Sequence, residues 1–254
     1  MDSCAFNILT AKSVPHILEK IFFSLNYESF RNCMEVSNAW NNLLTSENFR
    51  QKGKLIFGEE IQKELFQAIT YGNLKKVESV LSNFMVDINR ADQYGNTPLH
   101  KSVLFGRRDM AQLFLDRGAD PNSENNILNT PLKLAVMGDH IPVIQLLLAR
   151  GADPNKVGRG GNTPLHWSVH IGNIFAVKLL IDGGADADVT IASRLGVGET
   201  ALHWAARYGK KDMVQFLLHK GANPNALNVY GNDAREIASI NGHMEAVKIL
   251  TPQS

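Results

Sequence analysis

The sequence has few of the features that are typical of proteins from oxidising compartments, of membrane proteins or of nucleic-acid-binding proteins. It contains only two cysteines, Cys4 and Cys33, too few for a disulfide framework or a four-cysteine metal site. No run approaches about 18 apolar residues, so no membrane-spanning helix is predicted. The formal net charge is +1, which gives no basic excess for nucleic acid. Residues 1–12 lack the basic start and apolar run of a signal peptide. We therefore expect a cytoplasmic or nuclear protein with no membrane or nucleic-acid partner.

Arrangements typical of catalysis are also scarce. Three histidines recur at one position of a repeated phrase, where hydrogen bonding at a helix start explains them better than metal binding: His100, His166 and His203. The glycine-rich stretches 158–161 and 196–198 superficially resemble phosphate-binding loops, but no Gly-Lys-Ser/Thr follows either of them. We predict turn glycines there. The sequence indicates no catalytic constellation, no metal site and no cofactor, so the protein is not expected to be an enzyme.

A short phrase returns along the chain at a nearly fixed interval. It reads Gly-Asn-Thr-Pro-Leu-His at 95–100 and 161–166, with variants at 129–133 and 198–203. The threonines lie 33, 33 and 37 residues apart, and a weaker copy follows at 231–235. A fixed period of this length is typical of stacked repeats.

The residues of each copy predict a pair of helices. Thr97 can cap the first helix with its hydroxyl group, and Pro98 suits the first helical position. Gly106 can end that helix, and an apolar series before Gly118 predicts the second helix. In the second full copy Asp139 takes the place of Gly106, so we expect an intact but distorted turn. Each pair has apolar surface on two sides, which only stacked neighbours can bury.

The phrase and its period resemble ankyrin repeats. The N-terminal segment resembles a second family, the F-box. Its series runs Val14, Pro15, Ile17, Leu18, Ile21, Phe22 and Leu25, then Phe30, Cys33, Val36, Trp40 and Leu43. The two resemblances imply an all-α fold, with a short helical F-box followed by an ankyrin-repeat solenoid of helix–turn–helix pairs with hairpin-like loops. They also imply these boundaries: a flexible N-terminus 1–12, the F-box 13–50, a joint 51–60, a degenerate first repeat 61–92, full repeats 93–125, 126–158, 159–195 and 196–228, and a C-terminal capping repeat 229–254.

The F-box resemblance implies docking on the Skp-type adaptor of a cullin–RING ubiquitin ligase. The residues expected to dock or to shape the docking face are Pro15, Ile17, Leu18, Phe22, Leu25 and Trp40. Composition and periodicity alone leave another interpretation open, in which these helices only cap the repeat stack.

The ankyrin resemblance implies that hairpin tips and first-helix ends form a concave face that captures a protein target. By position, the target-binding residues are Tyr94, Leu104, Phe105, Arg159, His170, Ile171, Arg207, Tyr208 and Tyr230. Glu199 is assigned to the same face. Trp167 and Trp204 are expected first to pack between adjacent repeats. Four extra residues within 185–198 lengthen the third copy, and a tolerated loop insertion is as good an explanation as a binding loop.

Together the resemblances imply a non-catalytic substrate-recognition subunit of an SCF-type ligase, a monomer within a hetero-oligomer. The alternative is an ankyrin scaffold or inhibitor whose N-terminal helices recruit no ligase.

Overall fold

The computed structural model describes the backbone of residues 25–36, 47–83, 86–190 and 198–251, which is helical with no strand in those ranges. The chain divides into two compact units, residues 1–87 and 88–254. In the first unit the described helices are α1 (Tyr27–Val36), α2 (Glu47–Tyr71) and α3 (Leu74–Asn83). The flexible terminus predicted for residues 1–12 lies outside the described residues.

Helix α2 is broken once, at Phe57, whose backbone is non-helical (φ −118°, ψ 16°). The residues assigned to a joint, 51–60, are therefore helical on both sides of this break. Beyond it, α2 and α3 form a helix pair that turns at Gly72, in the left-handed region at φ 73°. Within the segment predicted to be a degenerate first repeat, the apolar residues that match the helix positions of later copies are buried in this pair: Leu65, Ala68, Ile69, Val77, Val80 and Leu81. The domain boundaries themselves stay predictions.

The second unit is a run of five helix pairs. A first helix of seven or eight residues and a second helix of seven or nine residues alternate along the described chain. The pairs are α4 (Pro98–Leu104) with α5 (Arg108–Asp116), α6 (Pro131–Met137) with α7 (Ile141–Ala149), α8 (Pro164–Ile171) with α9 (Ile174–Asp182), α10 (Ala201–Arg207) with α11 (Lys211–His219), and α12 (Ala234–Ile240) with α13 (Met244–Leu250).

The helices of this unit lie in two layers. First helices pack on first helices in the order α4, α6, α8, α10, α12, and second helices pack in the order α5, α7, α9, α11, α13. The core lies between the layers, where Leu99, Leu132, Leu165 and Leu202 occupy equivalent positions and are at most 1% exposed. Since each pair buries both sides against neighbours, the stacking predicted from the repeat is confirmed.

The Thr-Pro-Leu-His phrase builds each helix start and also joins neighbouring repeats. The Nδ1 atom of His100 accepts from the Thr97 N–H at 3.2 Å, and its Nε2 donates to the carbonyl of Asn129 in the next repeat at 3.0 Å. His166 and His203 repeat both bonds, to the carbonyls of Glu199 and Asn232. The predicted role at the helix start is confirmed, and the link to the next repeat is an additional one.

The turn between the helices of a pair depends on the following repeat. Gly106 and Gly209 are left-handed, and a Cβ on either would come within 2.8 Å and 2.6 Å of the rings of His140 and His243. Asp139 is left-handed too (φ 55°), but the next repeat presents Asn173 there, which donates to the Asp139 carboxylate. The turn at Asp139 keeps the same backbone hydrogen bonds as the turn at Gly106. The predicted turn is intact, but the predicted distortion is absent.

Candidate protein-interaction surface

Large apolar side chains stand exposed where the first helices end. Leu104, Phe105, Met137, Ile171, Tyr208 and Ile240 supply them, at least one from each of the five pairs. They recur because the helix buries its preceding residues against the neighbours and leaves its last turn at the layer edge. Single exposed apolar residues are ordinary, but a row repeated through a solenoid suits a protein partner.

The hairpin tips carry a second exposed row. Tyr94 is 61% exposed and Tyr230 is 70% exposed, each at the tip of its hairpin. Ile127 and Leu128 are exposed in the second hairpin, and Arg159 is exposed in the third. Residues 191–197 lie outside the described residues, and they make up half of the stretch 185–198 that contains the predicted insertion. Seven of the nine predicted target-binding residues are exposed apolar or aromatic side chains, and their role in binding stays a prediction.

Five aromatic rings meet across the third and fourth repeats. His170 contacts Trp167, Trp204 and Tyr208, with ring centroids 5.6, 6.0 and 5.1 Å apart. Trp204 also lies edge-on to Tyr208 at 6.0 Å and to His166 of the preceding repeat at 5.4 Å. The two tryptophans are half-buried. Their packing against residues of the adjacent repeat agrees with the first interpretation from sequence, while His170 and Tyr208 keep an exposed edge.

Glu199 is not a surface residue, although its position in the repeat predicted one. It is 2% exposed, and its carboxylate accepts from the guanidinium of half-buried Arg207. A buried carboxylate needs a partner, since isolating it from water is costly. Arg207 is therefore committed to holding Glu199, and its guanidinium is less free for a target than sequence position implied.

Most of the predicted adaptor-binding residues cannot be placed. Pro15, Ile17, Leu18, Phe22 and Trp40 lie outside the described residues, while Leu25 is described and half-buried. Just beyond them, Tyr27 and Phe57 lie with ring centroids 5.7 Å apart. The Tyr27 hydroxyl group donates to Glu64, which also pairs with Lys76 at 2.9 Å. Burial, together with this hydrogen bond to Glu64, raises the pKa of Tyr27 well above its ordinary value. The segment after the predicted docking residues is thus anchored on α2 and α3.

Sequence reasoning missed Lys133, which replaces histidine in the second copy of the phrase. It is 3% exposed, and burial lowers the pKa of its ammonium group. Only the departure from the repeated histidine could have singled it out.

Among the described residues, no group of three or more His, Cys, Asp or Glu side chains is arranged to hold a metal ion. Within the same residues, no helix is long and apolar enough to cross a membrane.

A solenoid of stacked helix pairs with an exposed apolar row defines a class of interaction scaffolds. Comparison with known proteins gives the family. The model for ankyrin repeats matches residues 42–125, 65–157, 124–191 and 172–254, and the model for the F-box domain matches residues 14–52. The chain belongs to the ankyrin-repeat family, with an F-box domain ahead of its repeats.

Individual relatives match the repeats. The crystal structure of EF0377, an ankyrin repeat protein, superposes with a TM-score of 0.69 at 30% identity, over 74% of this chain and 96% of that one. An ankyrin repeat protein of fowlpox virus (strain NVSL) is 37% identical over 68 residues. Those residues make up 26% of this chain and 16% of the viral protein, so the chain spans a small part of that relative.

Both modules are of kinds that typically bind proteins and do not catalyse reactions, and no catalytic family is indicated. F-box domains generally bind Skp1-type adaptors, and ankyrin repeats bind protein targets. The chain therefore combines two kinds of module that typically bind proteins.

Proposed function

We propose that this protein is the substrate-recognition subunit of an SCF-type cullin–RING ubiquitin ligase. The F-box docks on the Skp-type adaptor, and the ankyrin repeats capture the target. The observation that carries the proposal is the order of modules: an F-box match at 14–52 directly precedes repeats that expose an apolar row. The ligase subunit needs no chemistry of its own, because holding target lysines near a charged conjugating enzyme raises their effective concentration.

Docking on the adaptor is tested in the full-length chain by co-purification. Leu18→Glu places a charge in the apolar series of the F-box and should abolish retention of the Skp-type adaptor. Ile240→Glu places the same charge on an exposed residue of the last repeat and should leave retention unchanged. If wild-type protein does not retain the adaptor, the chain is a scaffold or inhibitor without a ligase, which is the alternative function.

Target capture is tested on the first-helix ends and hairpin tips. Tyr208→Ala combined with Tyr230→Ala removes two exposed aromatic side chains, of a type that often dominates binding energy. The double variant should lose the proteins captured by wild type and keep the adaptor. Arg207→Ala is a poorer choice because it would leave the buried Glu199 carboxylate without its cation.

A matched control is available on the opposite layer. Phe175 on the second helix α9 is 66% exposed, so Phe175→Ala removes an aromatic surface of similar size away from the first-helix row. Capture that survives in the tyrosine double variant, or that is lost equally in Phe175→Ala, would contradict the assignment of the binding face.

A further inference from the structure

Three hairpins of the solenoid are closed by an Asp or Asn side chain. The residue that opens the hairpin accepts, through Oδ1, the N–H groups two and four residues further on, at 2.8 to 3.1 Å. The sets are Asp92 with Tyr94 and Asn96, Asn125 with Ile127 and Asn129, and Asn228 with Tyr230 and Asn232. Each of these hairpins supplies its own acceptor oxygen.

The third hairpin lacks this oxygen, because Gly158 stands at the Asp/Asn position. The hairpin still closes, with the Gly158 N–H donating to the Asn162 carbonyl at 3.1 Å. The two N–H groups that a side chain would accept, those of Gly160 and Asn162, have no acceptor among the described residues. The side-chain oxygen that accepts two N–H groups in the other hairpins is thus missing, and the nearest oxygen to the Gly158 Cβ position is the Leu128 carbonyl, 3.0 Å away.

The ammonium group of Lys133 fills part of the space where that side chain would be. A Cβ added to Gly158 would lie 2.0 Å from the Lys133 Nζ. Lys133 is 97% buried, yet it has no carboxylate partner in the part of the chain that the structure describes. In the first hairpin the carboxylate of Asp92 pairs at 3.2 Å with Lys101 of the same repeat, one position after the place that corresponds to Lys133. The third hairpin has the cation without the carboxylate.

Trp167 contributes a further hydrogen-bond donor that has no acceptor among the described residues. Its ring centre lies 5.9 Å from the Lys133 Nζ, and its buried Nε1 donor has no acceptor among the described residues. Exposed Arg159 stands at the tip of the same hairpin. The third hairpin and Lys133 therefore offer one ammonium group, two main-chain N–H groups and one exposed arginine, and no carboxylate pairs with Lys133 among the described residues. The Trp167 indole N–H is a buried donor without an acceptor in that part of the chain, which is costly, and an ionised acceptor forms the strongest hydrogen bonds with such donors.

We propose that the third hairpin binds the carboxylate of an aspartate or glutamate side chain of a captured target, which replaces the oxygen that Gly158 cannot supply. The inference rests on the proposed function in taking that carboxylate from a target held on the hairpin side of the solenoid. A carboxylate fits because Asp92 performs both tasks in the first hairpin, accepting two N–H groups and pairing with a lysine. The site would make an acidic residue a preferred anchor in target segments.

The site is tested by NMR on the full-length chain, with N-acetyl-aspartate N-methylamide as the probe. The resonances followed are the Gly160 and Asn162 amides and the Trp167 indole N–H. All three should shift and saturate with the probe. The neutral analogue N-acetyl-asparagine N-methylamide should shift none of them, because it lacks the charge that the ammonium group requires. The Trp204 indole N–H reports on the integrity of the fold.

The matched variant restores the residues of the other copies. Lys133→His with Gly158→Asn gives the third hairpin its own oxygen and removes the cation, so affinity for the probe should fall roughly tenfold or more. Gly158→Asp alone, which supplies an internal carboxylate to Lys133, should block the probe as well. The double variant restores the pair His and Asn that stands at 100 and 125 and at 203 and 228, whereas in Gly158→Asp the Lys133 ammonium group must shift to admit the new Cβ.

Three outcomes would overturn the proposal. Absent or non-saturating shifts would mean that water completes the hairpin. Equal affinity in the restored variant would place the probe elsewhere. Tighter binding of inorganic phosphate at the same resonances would identify a phosphate site in place of a carboxylate site. None of these results affects adaptor retention or the tyrosine double variant, so failure here is distinguishable from failure of the proposed function.

Discussion

The type of residue at the turn between paired helices depends on the side chain that the following repeat places against it. Gly106 faces His140 and Gly209 faces His243, whereas Asp139 faces Asn173, a short side chain that donates to it. His140 and His243 also reach the carbonyls of Leu104 and Arg207, at 3.4 and 2.9 Å. The identity of the turn residue is therefore a matter of contact as much as of backbone conformation.

Gly209→Ala tests this contact. The variant should be destabilised by the strain of a left-handed alanine, about 1–2 kcal/mol, and further by the collision with His243 at 2.6 Å. Gly221→Ala is the matched control, because Gly221 is also left-handed but has open space around its Cβ position. Urea unfolding should therefore show a larger loss for Gly209→Ala. Equal losses would assign the whole effect to backbone strain.

A second residue-scale prediction concerns acid. Burial lowers the pKa of His166 to about 4, and burial also lowers the pKa of His100. The unfolded chain binds a proton at His166 near pH 6.5, and the folded chain does not until about pH 4. Stability should thus be constant above pH 6.5 and fall between pH 6.5 and 4, by up to about 3 kcal/mol for His166.

Urea unfolding at pH 7.5, 5.5 and 4.5 measures the effect. His166→Gln, which cannot titrate, should lose stability at pH 7.5 but show a shallower fall with acid. His219→Gln replaces an exposed histidine on α11 and serves as the control. A pH dependence that is unchanged in His166→Gln would locate the titrating group elsewhere.

At the scale of elements, a ladder of Asn and Asp side chains joins the turn that follows each second helix to the next such turn. The Oδ1 of Asn122 accepts from the Asp153 N–H at 2.7 Å, and its Nδ2 donates to the Gly151 carbonyl at 3.0 Å. Asn155 repeats both bonds. Asn89 accepts from the Asp120 N–H at 3.1 Å in the same manner, so its segment joins the same series of hydrogen bonds.

Asn122→Asp and Asn122→Ala separate the contributions of the two Asn122 hydrogen bonds, the one it accepts from the Asp153 N–H and the one it donates to the Gly151 carbonyl. Asp keeps the acceptor and loses the donor, as Asp188 does naturally when it accepts from the Asn223 N–H at 2.9 Å. Since the rungs are exposed, each lost bond should cost about 0.5–1.5 kcal/mol, with alanine the worse variant. The order wild type, Asp, Ala should appear in thermal and urea midpoints. If the Asp variant is less stable than the Ala variant, charge outweighs hydrogen bonding there.

At the scale of the whole molecule, the F-box and the first helix pair share one polar anchor. Glu64 on α2 accepts from the Tyr27 hydroxyl group of α1 and pairs with Lys76 of α3 and, at 3.6 Å, with Arg31. The Glu64 side chain is 11% exposed. A substitution that removes its charge would therefore take a shielded carboxylate from Tyr27, Lys76 and Arg31 at once. The described helix α1 is therefore held against α2.

Glu64→Gln should loosen α1 without affecting the solenoid. We expect hydrogen exchange in residues 27–36 to accelerate, while exchange in α6 to α9 stays at its wild-type rate. Tyr27→Phe removes one of the three partners and should give a smaller acceleration. Faster exchange through all helices of the second unit would show that the anchor supports the whole chain.

The helix pairs, their caps and their turns could be predicted from the amino-acid sequence, because they depend on residues a few positions apart. The same residues recur in each copy of the repeat. It also indicated which positions near residues 61–89 are buried, since their spacing matches later copies. The three-dimensional contacts were needed to show that Glu199 is buried with Arg207, that Asn173 donates to the turn residue Asp139, and that Lys133 lies against Gly158. The last two contacts join neighbouring repeats, and Glu199 meets Arg207 at the far end of the helix that follows it in the same repeat. Local pattern cannot supply such contacts, because the stacking of the repeats creates them.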